Sequence, residues 1–153
     1  MPFLALIFWL LMISEAMTSS SMAERGIHEA AEAMARNLML YHQGAVGWVQ
    51  NNGAAGFTGQ VADGAVTARL PDVYRKSGPW LTTGTAGAVI TCATTQIPYS
   101  PGGYVISAMI DASMRDPGAG RIAGGQYMSN VSGLVRAAPA GCLDGSPAYY
   151  TGL

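Results

Sequence analysis

The sequence predicts an α+β protein. A long N-terminal helix, with a membrane-inserted start and an amphipathic continuation, packs on a small antiparallel β-sheet domain. Three observations predict it. Phe3–Ile13 is an uninterrupted apolar run. Downstream of it, apolar residues recur at helical spacing as far as Trp48. Beyond Asn51 the pattern changes to short apolar runs punctuated by Gly, Pro and Asp, which is how strands and turns read. The chain has 153 residues, enough for one domain with a modest core.

Residues 1–17 read as a membrane anchor. Phe3–Ile13 is apolar at every helical angle, which disfavours an amphipathic helix resting on the protein's own core. It is shorter than the ~17–20 residues a spanning helix wants, and it also fits the apolar stretch of a cleaved secretory signal. Small residues at Ser14 and Ala16 would suit cleavage, but no Lys or Arg precedes the run. The uncleaved anchor is the preferred reading. Thr18–Ser21 reads as a joint, and Ser21-x-x-Glu24 as a capping box that starts the second part of the helix.

Residues 18–50 form the amphipathic part. Ile27, Ala31, Met34, Leu38, Tyr41, Ala45 and Trp48 recur at alternating steps of four and three, an a/d series. These seven are the predicted packing or interface residues. They meet either the protein's own sheet or, in part, a neighbouring subunit. Arg25–Glu29 and Glu32–Arg36 are i,i+4 pairs of opposite sign, as a solvated face would carry. Gly26, Gly44 and Gly47 weaken the helix, and they also allow another element to approach closely.

Residues 51–153 form the small α+β domain. Asn51-Asn52-Gly53 ends the helix. Val66–Leu70 reads as a strand, residues 70–80 as a turn-rich link, and Ala88–Thr95 as the clearest strand in the chain. Pro98, Pro101 and Gly102-Gly103 break that strand. A short helix is expected from about Ser107. Residues 116–125 read as a loop, 126–138 as a hairpin turning at Asn130 and Gly133, and the remainder as a tail.

Composition narrows the function. Only 11% of residues are charged and the net charge is −1, with Lys and Arg scattered, so there is no basic patch for nucleic acid. His28 and His42 are 14 residues apart, or about 21 Å along a helix, too far to share a metal. Both fall on the outward face of the predicted stripe and read as solvated. No Walker A sequence, G-x-G-x-x-G fingerprint or G-x-S-x-G elbow is present. The aspartates mostly sit beside Gly or Pro and read as turn formers. No catalytic residue, cofactor, metal or small-molecule substrate is therefore expected. Cys92 and Cys142 are the two cysteines. In an oxidising compartment one disulfide is the simple reading, and two buried free thiols in a reduced cytosol is the alternative.

The greasy start, the helix AEAMARNLMLYHQGAVGWV, the segment GAVTARLPDVYRKSGPW and the tail GLVRAAPAGCLDGSPAYYTGL are the residues that carry a resemblance. Together the chain resembles the small PilM proteins of plasmid conjugative thin pili, a type IVB pilus system. The resemblance implies a non-enzymatic inner-membrane component of pilus biogenesis. Its domain would lie in the periplasm, and its partners would be other pilus assembly proteins or pilins, with the membrane held by the N-terminal segment. No catalytic residues come with it. LPDVY followed by Trp also looks like the segment after the first helix of type IVB pilins. The chain lacks their short basic leader. The alternatives are a minor pilin built into the fibre, or a secreted periplasmic enzyme with a cleaved signal.

Overall fold

The computed structural model describes the backbone of residues 2–52, 56–85, 87–97 and 102–153, and the side chains of these from residue 22 onward. Helix α1 (Pro2–Asn51) opens the chain. Then come β1 (Gly59–Val61), α2 (Asp63–Thr67), β2 (Trp80–Thr85), β3 (Ala88–Ala93) and α3 (Gly102–Ala112). They are followed by β4 (Ala119–Ala123), β5 (Gln126–Ser129), β6 (Val135–Ala137) and β7 (Pro147–Gly152). Among the described residues, seven strands form one antiparallel sheet in the order β1-β2-β3-β7-β4-β5-β6.

The sheet is covered on both faces. α1 and α3 lie on one face, over Val61, Trp80, Val89, Ala93, Ala119 and Tyr149. On the other face, Ile90, Cys92, Ile122, Tyr127 and Ala148 form a second, smaller core closed by Leu134, Ala138 and Cys142. β3 sits between these layers, so all six of its residues are buried. Its sequence is accordingly a continuous apolar and β-branched run rather than an alternating one.

α1 runs without a break through Thr18–Ser21, so the predicted joint is absent and no helix starts at Ser21. That stretch contains no Gly or Pro. Ser and Thr cost only about 0.5 kcal/mol each relative to Ala, so helix propagates through them. The membrane-inserted start is also corrected. Among the described residues, no helix is long and apolar enough to cross a membrane. The apolar run has 11 residues. That is about 16 Å of helix against a hydrocarbon core of about 30 Å, and Ser14-Glu15 ends it. The side chains of residues 1–17 lie outside those described. The inner-membrane location with a periplasmic domain, and the inner-membrane function built on it, rested on a spanning helix and fall with it.

Elsewhere the differences are local. Val66–Leu70 is not a strand. Val66 lies in α2 and Leu70 in the turn after it, with the Thr67 hydroxyl donating back to the Asp63 carbonyl at 3.0 Å. Three apolar residues at alternate positions are too few to separate the two periods. The predicted loop at 116–125 contains β4. Gly120 passes so close to Tyr127 and the Met128 carbonyl that no Cβ would fit, which explains a strand written in small residues. α3 begins at Gly102 rather than Ser107. The predicted tail contains β7, paired on both sides, with β3 and β4. The hairpin β5–β6 is present, with Gly133 at φ 72° in its turn. The break predicted at Pro98–Pro101 lies outside the described residues.

Candidate functional site

Among the described side chains of α1, Met22–Gly26 are exposed and Ile27 is half-buried. From there α1 presents two faces. The inner seam is Ala31, Ala35, Leu38, His42, Ala45 and Val49, all buried. Of the seven residues read from sequence, Ala31, Leu38, Tyr41 and Ala45 are buried, while Ile27, Met34 and Trp48 are half-buried on the flank. The buried face takes in these four together with Ala35, His42 and Val49. Its small members bring the helix backbone close to the sheet, and the bulky ones close the sides. Gly44 faces α2 rather than the sheet. A Cβ there would sit 3.0 Å from the Leu70 side chain and 3.1 Å from the Val66 carbonyl.

His42, which the stripe places on the solvated face, is instead 2% exposed. Its Nδ1 lies 2.8 Å from the Thr91 hydroxyl on β3, and its Nε2 lies 2.9 Å from the Thr151 hydroxyl on β7. Thr91 in turn meets the Thr82 hydroxyl on β2 at 2.7 Å. Burial pushes the imidazole pKa down to about 3, so the ring is neutral and pins α1 to three strands. A second polar cluster ties the segment after α2 to the helix. Asn37 Oδ1 accepts from Trp80 Nε1 at 2.7 Å, the Tyr74 hydroxyl at 3.1 Å and the Ser77 N–H at 3.2 Å. Its Nδ2 donates to the Arg75 carbonyl at 2.7 Å. One turn further along, the Tyr41 hydroxyl donates to Asp63, and Lys76 Nζ reaches the same carboxylate at 2.6 Å.

Burial by itself would raise the Asp63 pKa. Hydrogen bonds from Lys76 and Tyr41, with the Lys76 charge, outweigh it and hold the carboxyl below the usual range. Burial and the Asp63 contact push the Tyr41 phenol upward. Both groups are therefore locked in their ordinary charge states, which suits a clasp rather than proton transfer. Among the described residues no group of three or more His, Cys, Asp or Glu is placed to hold a metal. His28 sits on the surface, edge-on to Tyr104 of α3 with ring centroids 5.2 Å apart.

The outer face of α1 carries Arg25, Glu29, Glu32, Arg36, Leu40, Gln43 and Gln50, all exposed. Glu32 and Arg36 meet at 3.4 Å. Leu40 and Met39 line a shallow cleft of about 420 Å³ with Arg36, Gln43 and Ala112 of α3. This α1–α3 face and the helical turn at Met22–Gly26 are open to solvent. Sequence reasoning missed His42, Asn37 and Asp63 as structural residues. For His42 a signal existed, because Ala35, His42 and Val49 keep the same heptad step as the residues chosen. For Asn37 and Asp63 none did.

Residues 7–150 match the PilM protein family. A crystal structure of a PilM protein from Escherichia coli B7A has the same fold. Its TM-score is 0.54 at 14% identity, covering 79% of this chain and 90% of that one. No curated relative matches the sequence. The disulfide also takes its place in this frame, since Cys92 and Cys142 are bonded. The chain belongs to the PilM family, pilus-biogenesis proteins that work without catalysis beside other pilus-assembly proteins.

Proposed function

We propose that this chain is a non-enzymatic component of a type IVB thin-pilus assembly apparatus in a conjugative plasmid system, and that it docks to other assembly proteins through α1. One observation carries the docking part. The helix backbone extends upstream of its own domain, with the side chains of Met22–Gly26 exposed. A helix that leaves its domain keeps its backbone hydrogen bonds satisfied internally, so a partner needs to supply only side-chain contacts.

The test is a photoreactive side chain at Met22 or Leu40 in cells expressing the thin-pilus genes. Cross-links to a pilus-assembly protein are expected at one or both positions, and loss of the chain is expected to abolish pili. No cross-link at either position, with pili intact in the deletion strain, would sink the proposal. The minor-pilin reading draws on the long helix lying along one face of an antiparallel sheet. Recovery of the chain in sheared fibres would select it over an assembly component.

A further inference from the structure

A cavity of about 290 Å³ opens between α1 and the end of β7. Thr151, Asp116, Tyr149, Gln43 and Gln50 line it, and the buried His42 forms part of its wall. His42 links this cavity to the interior. Thr82 and Thr91 are fully buried, and the Thr82 hydroxyl bonds the Thr91 hydroxyl. From there a hydrogen-bonded chain runs through Thr91 and the two ring nitrogens of His42 to Thr151.

The closed end sets the direction of that chain. If Thr91 donated to Thr82, the Thr82 O–H would be buried without an acceptor, which is costly. Thr82 therefore donates to Thr91, and the one Thr91 hydrogen goes to Nδ1 of His42. A neutral imidazole carries a single N–H, so it sits on Nε2 and donates to Thr151. That leaves the Thr151 hydroxyl hydrogen unused within the chain. Thr151 is partly exposed and lines the cavity, so this hydrogen is available to an occupant.

Asp116 supplies the complement. It follows Met114 and Arg115, two successive non-glycine residues at φ 54° and 63°. Such residues are strained, and they persist where the surroundings over-determine them. Asp116 Oδ1 accepts from the Gly118 N–H at 2.6 Å, which fixes the carboxylate and leaves it room for further donors. A donor and an acceptor in one cavity select the occupant. An anion would meet the Asp116 charge, since no Lys or Arg lines the cavity. A cation would leave the Thr151 hydrogen without an acceptor. An amide suits both, with its C=O accepting from Thr151 and its N–H donating to Asp116.

The length of the cleft selects the kind of amide. Met39 and Gln43 also line the cleft that reaches Arg36, so the two run on along α1 from Arg36 to Gln50. That is about 21 Å of helix, the span of about six extended residues. A helical segment satisfies its own amides, whereas an extended one has them free. We propose that this cavity binds a backbone amide of an extended polypeptide segment, held between the Thr151 hydroxyl and the Asp116 carboxylate. That the segment belongs to a pilus-assembly partner rests on the docking reading above; the amide chemistry does not.

The test is NMR of the full chain. Ring nitrogen spectra should place the His42 hydrogen on Nε2, and a hydrogen on Nδ1 would overturn the direction argued here. The chain is then titrated with a blocked six-residue Ser/Ala peptide, N-methylacetamide, methylammonium and acetate. The peptide is expected to shift the Gly47, Gly118 and Thr151 amides saturably. It should bind at least about tenfold more tightly than N-methylacetamide, because Gln43 and Gln50 add hydrogen bonds of about fivefold each. Thr151→Val should weaken the peptide about fivefold and Thr151→Ser should bind as the parent does. Asp116→Ala should weaken it at least about tenfold, the share of a charged hydrogen bond. Asp116 is exposed, so its variant decides if Thr151→Val unfolds. No saturable shift with the peptide, tighter methylammonium or acetate, or an Asp116→Ala variant that binds as the parent does would each overturn the site. N-methylacetamide binding as tightly as the peptide would overturn the extended segment. A failed titration with the Leu40 cross-links intact removes this site and leaves the docking reading standing.

Discussion

His42 and Asn37 show how single polar side chains hold this helix down. His42 is neutral in the folded chain, with its pKa pushed down to about 3 by burial, against 6.5 for the free side chain. Above pH 6.5 neither state gains a proton there. Below it the unfolded chain binds one that the native chain does not. Stability should therefore fall as pH drops from about 6.5 toward 3, by up to about 1.4 kcal/mol per pH unit. Asp63 adds acid sensitivity of the same sign. Its folded pKa is lowered from 3.8, so that contribution is lost only below this value. Urea titrations between pH 7 and 4.5 thus isolate the histidine. His42→Gln keeps hydrogen-bonding capacity and should flatten the slope in that range; an unchanged slope would place the titration elsewhere. Asn37 makes four hydrogen bonds to the segment spanning Tyr74 to Trp80. Asn37→Ala strands the buried Trp80 indole N–H, so a loss of about 2–3 kcal/mol is expected in equilibrium unfolding. A loss below about 0.5 kcal/mol, the range of ordinary surface substitutions, would show that the clasp is ornamental.

At the level of elements, α1 is stabilised by its seam and weakened by its glycines, and the two glycines near its end behave differently. A Cβ at Gly47 meets nothing within 4 Å, whereas at Gly44 it meets the Val66 carbonyl at 3.1 Å. Gly47→Ala should therefore stabilise by about 0.5–1 kcal/mol, the helix-propensity difference. Gly44→Ala should gain less than that or lose, because backbone of α2 must give way. Equal gains at both sites in thermal unfolding would mean that α2 does not pack as described. Leu38→Ala, in the fully buried seam, should cost about 2–5 kcal/mol. These positions also explain what was legible in the sequence. The long helix, strand β3 and the β5–β6 hairpin were legible because each has a strong local signal. The full width of the buried face was not, because it also takes in Ala35, His42 and Val49, while Met34 and Trp48 are only half-buried. Bulk drew the reading to residues that turn out to flank the contact. β4 and β7 were misread because Gly and Pro dominate their local chemistry. Their strand character comes from non-local pairing, which leaves no periodic trace.

For the whole molecule, the decisive feature is that the sheet separates two tasks. One face carries α1, α3 and the surface proposed for docking. The other carries the second core, closed by the Cys92–Cys142 bond across a sequence separation of 50. That span contains α3, β4, β5 and β6, so the bond restrains nearly half of the sheet in the unfolded chain. In the loop-entropy model its loss costs roughly 3–4 kcal/mol. At about 2–4 °C per kcal/mol for a chain of this size, Tm should fall by about 10 °C. Cys92→Ser and Cys142→Ser should each show this fall, and the double variant should show little more, since one restraint is lost in all three. The layering adds a sharper expectation. Cys92 is not part of the α1 core, and Leu40 lies with α3 on the opposite face of the sheet from it. Below their lowered Tm, the cysteine variants should keep the cross-linking pattern from Met22 and Leu40 that the parent chain gives. A pattern lost while the fold persists would mean that the two faces are coupled through the sheet, and the docking surface would then have to be redrawn to include the disulfide face.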